Sequence, residues 1–63
     1  MKKIVLELPN DEAMALAQLT KRIGYDDCER LADRHDGGLE TEAMLRSIDK
    51  LRHALCEAGF APR

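Results

Sequence analysis

The stretch Thr41–Ala58 constrains the fold most, because its pattern is that of one long amphipathic helix. Its apolar residues recur at steps of four, three and four positions and share one stripe of a helix: Met44, Ile48, Leu51 and Leu55. Thr41 is suited to cap the start of this helix, and Gly59 is suited to end it. The rest of the chain must therefore cover this stripe.

Lys2–Leu8 alternates apolar and polar residues and includes β-branched side chains. This pattern predicts a half-buried β-strand that ends before Pro9, with Ile4, Leu6 and Leu8 facing inward. The chain contains no convincing second strand. We therefore expect the strand to pair either with irregular backbone of the same chain or with its twin in a homodimer, and we favour the homodimer.

Two further helices are predicted between the strand and the long helix. The first runs over Asp11–Ile23 with Asn10 as its N-cap. Its inward residues are Leu16, Leu19 and Ile23, and the small residues Ala13 and Ala17 allow close approach to neighbouring elements. The second, Tyr25–His35, is short, and we expect Asp26 or Asp27 to cap it. The predicted fold is thus a mostly helical α+β domain over residues 1–63, in the order β-α-α-α.

The chain is short, with 63 residues, no Trp, one Tyr and one Phe. A core of this size rarely supplies more than about 3–5 kcal/mol, so a second subunit would add needed burial. We expect Phe60 to fold back on the core. The N-terminus does not resemble a signal peptide, and no apolar run approaches a membrane span. These features predict a cytoplasmic protein whose two cysteines are free thiols.

Charge is distributed unevenly, although the net charge is only −2. The stretch between residues 26 and 42 carries about −5, because seven carboxylates there oppose only Arg30 and Arg34. One interpretation is a solvated face that keeps a small protein soluble. The other is an acidic patch that docks on a basic partner.

Neither a metal site nor a catalytic site is indicated by the motifs. The potential zinc ligands are Cys28, His35, His53 and Cys56, and only the last two share a helix face. None of them has the spacing of a structural zinc site, so they are better explained as two small core residues and two exposed histidines. No phosphate loop or oriented nucleophile occurs. We therefore expect no cofactor, no metal and no enzymatic activity.

The first 24 residues resemble the start of ribbon-helix-helix repressors: a strand over Lys2–Leu8 followed by Pro9-Asn10-Asp11-Glu12 opening a helix. That resemblance implies a dimeric DNA-binding regulator whose paired strands lie in the major groove. The outward side chains would be Lys3, Val5 and Glu7, and a carboxylate there repels phosphate. This DNA-binding function is the alternative to protein binding.

Nearly the whole chain resembles a family of uncharacterised small proteins of bacteriophages and integrative elements. The resemblance lies in Glu12–Gln18, in Lys21–Tyr25 and in the ending Ala54–Arg63. Such an origin implies a non-catalytic inhibitor of a host defence system, of the anti-CRISPR type, that covers a basic nucleic-acid site. The expected contact residues are Tyr25, Asp26, Asp27, Glu29, Asp33 and Asp36.

Overall fold

A computed structural model describes residues 1–33 and 37–60. These residues form three helices and the segments that flank and join them. Helix α1 is Asn10–Arg22, α2 is Tyr25–Leu31 and α3 is Leu39–Glu57. The described residues contain no strand, so the fold is all-α. The predicted α+β class with the order β-α-α-α is therefore wrong.

The segment predicted as a strand, Lys2–Leu8, lies on the surface without a backbone partner. Its supposedly inward residues Ile4 and Leu6 are 87% and 64% exposed. Only Leu8 packs against the core. No hydrogen bond among the described residues involves residues 1–8. A strand requires a neighbour that receives its N–H and C=O groups, and the described chain offers none.

Helix α1 begins one residue earlier than predicted. Pro9 occupies the capping position with extended backbone (φ −60°, ψ 159°), and its carbonyl accepts the first helical bond from the Ala13 N–H at 2.9 Å. Asn10 is thus the first helical residue and not the cap. Acidic residues in the first turn and basic residues in the last turn both complement the helix dipole.

Helix α3 begins two residues earlier than predicted, because Gly38 turns the chain in the left-handed region at φ 90°. Thr41 is consequently a buried residue inside the helix and not its cap. The predicted stop at Gly59 (φ 95°) is confirmed. Gly59 N–H donates to the Cys56 carbonyl at 3.0 Å and Phe60 N–H donates to the Leu55 carbonyl at 2.9 Å, which forms a Schellman motif.

The core lies where α1 crosses α3. Its buried residues are Ala13 and Ala17 of α1 and Leu55 of α3, and the partly buried side chains packed on them are Leu8, Leu16, Leu51 and Phe60. The predicted stripe of α3, the small α1 alanines and the folding back of Phe60 are confirmed. Leu19 was predicted to face inward but is 55% exposed.

Arg52 joins α1 to α3. Its Nη2 donates a hydrogen bond to the Thr20 carbonyl in the last turn of α1. Thr20 is buried, and its Oγ1 donates to the Ala17 carbonyl at 2.9 Å. A cation next to the carbonyl end of a helix also complements its dipole.

Candidate protein-docking surface

Helix α2 carries most of the predicted contact residues and presents them on its outer side. Cys28 faces the interior and is 1% exposed, which orients the helix. Asp26 and Glu29 are exposed and lie three residues apart, so they are neighbours on one helix face. We call Asp26, Asp27, Glu29 and Asp33 the acidic surface.

Asp27 has a structural task within this surface. Its Oδ2 accepts a hydrogen bond from the Gly24 N–H at 3.0 Å, and Gly24 is the residue before the helix. Its Oδ1 lies 3.3 Å from Nη2 of Arg30 in an exposed ion pair. The prediction that Asp26 or Asp27 caps α2 is wrong, because Gly24 occupies the N-cap position. Asp27 is the third helical residue, and its side chain reaches back to the Gly24 N–H, which has no partner inside the helix. The negative charge of Asp27 is thus partly compensated by contacts within its own chain.

The remaining predicted acids lie beyond the helix. Helix α2 was predicted to reach His35 but ends at Leu31, because Ala32 is extended (φ −80°, ψ 157°). Asp33 is exposed, and its N–H donates to Oε2 of Glu40 at 3.1 Å, which ties the end of α2 to the start of α3. Asp36 lies outside the described residues.

Large apolar side chains border the acidic surface. Tyr25 is 56% exposed and follows Gly24 as the first residue of α2, four positions before Glu29, so the two share a face. Leu31 is 63% exposed at the other end of the helix. Aromatic side chains at the centre of an interface carry a large part of binding energy. The structure therefore places an exposed ring next to exposed carboxylates.

The four potential zinc ligands do not form a site within the described chain. Cys28 is a buried free thiol, whereas Cys56 is an exposed one, so only Cys28 is the small core residue predicted. His53 is exposed on α3. His35 lies outside the described residues. No group of three or more His, Cys, Asp or Glu side chains in residues 1–33 and 37–60 is placed to hold a metal.

Two features were missed by the sequence analysis. The first is the hydrogen bond by which Arg52 links α3 to α1. An arginine on the polar face of a helix does not reveal from sequence alone that it has such a partner. The second is the exposure of Ile4, Val5 and Leu6 together. The segment was predicted as a strand with Ile4 and Leu6 facing inward, and only the lack of a second strand in the sequence argued against that prediction. Within the described helices, none is long and apolar enough to cross a membrane.

The described residues form a small three-helix protein whose second helix exposes carboxylates and an aromatic ring. Residues 1–63 match a family described as a family of unknown function (DUF7706), and the chain belongs to it. No curated protein and no solved structure matches the chain.

Proposed function

We propose that this protein is a non-catalytic inhibitor that docks its acidic surface on the basic, nucleic-acid-binding site of another protein. The observation that carries the proposal is the exposure of Asp26 and Glu29 on one face of α2, next to the exposed ring of Tyr25. Carboxylates at this spacing present fixed negative charge to a basic channel, as phosphates do. The ring supplies apolar area that could be buried at the contact.

The proposed target is an effector of a host defence system, which makes the protein an inhibitor of the anti-CRISPR type acting in the cytoplasm of the host cell. The resemblance of Glu12–Gln18 and Ala54–Arg63 to small phage proteins supports this target class. Complementary charge would speed the encounter, and the apolar neighbours would slow dissociation.

The test is a pull-down with the tagged protein from a bacterium that expresses CRISPR effectors and restriction enzymes, with and without nuclease treatment. Mass spectrometry identifies the captured partners. A defence complex retained after nuclease treatment supports the proposal and names the target. Capture that disappears with nuclease contradicts it and favours the DNA-binding alternative, which also requires binding to fall steeply with salt.

A further inference from the structure

An apolar groove of about 950 Å³ lies on a part of the molecule that α2 does not reach. One wall is the N-terminal segment, defined here as residues 1–8, and the other is formed by Leu16 of α1 and by Leu51 and Ala54 of α3. Ile4, Val5 and Leu6 line it while remaining 87%, 77% and 64% exposed. Three consecutive apolar side chains are thus left largely in contact with water in the single chain.

The single chain is also less compact than a typical folded monomer of the same mass. It exposes 5340 Å², whereas a folded monomer of 7.1 kDa exposes about 4100 Å². Its radius of gyration is 12.8 Å, against about 10.6 Å for a compact domain of this length. The excess of about 1200 Å² exceeds the roughly 800 Å² that each partner contributes to a standard interface.

We propose that a second copy of this chain covers the groove, so that the two N-terminal segments lie against each other about a two-fold axis. The segment is self-complementary in the way such an axis demands. If the axis passes at Val5 and the segments run in opposite directions, Lys3 of one copy faces Glu7 of the other. Ile4 of one copy then faces Leu6 of the other, which buries both.

Charge pairing selects a second copy over an unrelated apolar partner. A segment with Lys3 before and Glu7 after three apolar residues carries both halves of its own complement. No residue of α2 lines the groove, so dimerisation leaves the acidic surface free. The inference therefore does not depend on the proposed inhibitor function.

Sedimentation equilibrium of the full chain tests the proposal with two matched variants. The wild type should have twice the 7.1 kDa mass of one chain. Leu6→Glu should weaken the dimer about tenfold or more, because it places a charge where a leucine is buried. Leu31→Glu is the control, since Leu31 is as exposed in one chain (63% against 64%) but lies on α2. A wild type with the mass of one chain, or equal weakening by both variants, overturns the proposal.

A charge exchange tests the two-fold arrangement in particular. Lys3→Glu and Glu7→Lys should each weaken the dimer severalfold, because each places like charges opposite one another. The double variant should recover wild-type affinity, since the pair is restored with reversed sign. Neither residue lies in a helix, so unchanged helical ellipticity is expected for all three. Failure of the double variant to recover overturns the arrangement about Val5.

Discussion

Replacing Leu55 by alanine should remove most of the stability of the protein. Leu55 is 8% exposed and is the one large side chain among the buried core residues of the described chain. Truncating a leucine this buried to alanine lowers the free energy of unfolding by about 2–5 kcal/mol. Its neighbours Leu8, Leu51 and Phe60 are only partly buried and can relax into the space, which favours the lower half of that range. A core of this size supplies about 3–5 kcal/mol in total, so most of it is lost.

Urea unfolding followed by helical ellipticity measures this loss at one fixed protein concentration, because the stability of a dimer depends on concentration. Leu19→Ala is the matched control: it makes the same chemical change on α1 at a residue that is 55% exposed. We expect it to cost less than about 1 kcal/mol. Leu55→Val provides a milder truncation if Leu55→Ala is already unfolded in water. Equal losses for Leu19→Ala and Leu55→Ala would refute the placement of the core.

Two further changes test the helix ends and the link between helices. Gly59→Ala should lower the free energy of unfolding by about 1–2 kcal/mol, because Gly59 has φ 95° and a side chain is strained there. Gly24→Ala is the control, since Gly24 has φ −126° and open space around it. Arg52→Met should cost about 1–2 kcal/mol, because it removes the donor to the Thr20 carbonyl and leaves that oxygen without this partner. Arg46→Met, on the exposed side of α3, is its control and should change stability little. Urea titration measures the free energy of unfolding of each variant and of its control.

Helical periodicity predicted the three helices because it reports which face of a segment is apolar. The stripe ending in Leu55 and the small residues Ala13 and Ala17 were recognisable because core contacts recur at helical spacing. Helix starts were less predictable. Asn10 and Thr41 are good capping residues by type, but the left-handed turn at Gly38 and the position of Pro9 set the actual starts.

The error over Lys2–Leu8 has a physical cause. Alternation identifies a segment that can form a strand, whereas a strand exists only where another supplies the ladder. Helix α2 exposes Asp26 and Glu29, two of the residues expected to contact a partner, and their role in binding stays a prediction. The different role of Asp27 depends on its bond to Gly24, a contact set by backbone geometry before the helix.

Reversing charge on the acidic surface tests the central claim most directly. The variant Asp26→Lys with Glu29→Lys leaves the bond from Asp27 to Gly24 intact, so α2 should persist. The control, Asp11→Lys with Glu57→Lys, makes the same change in net charge at exposed residues of other helices. We expect the first variant to lose its captured partner in quantitative pull-down while the control retains it. Equal retention of the partner by both variants would contradict docking through α2.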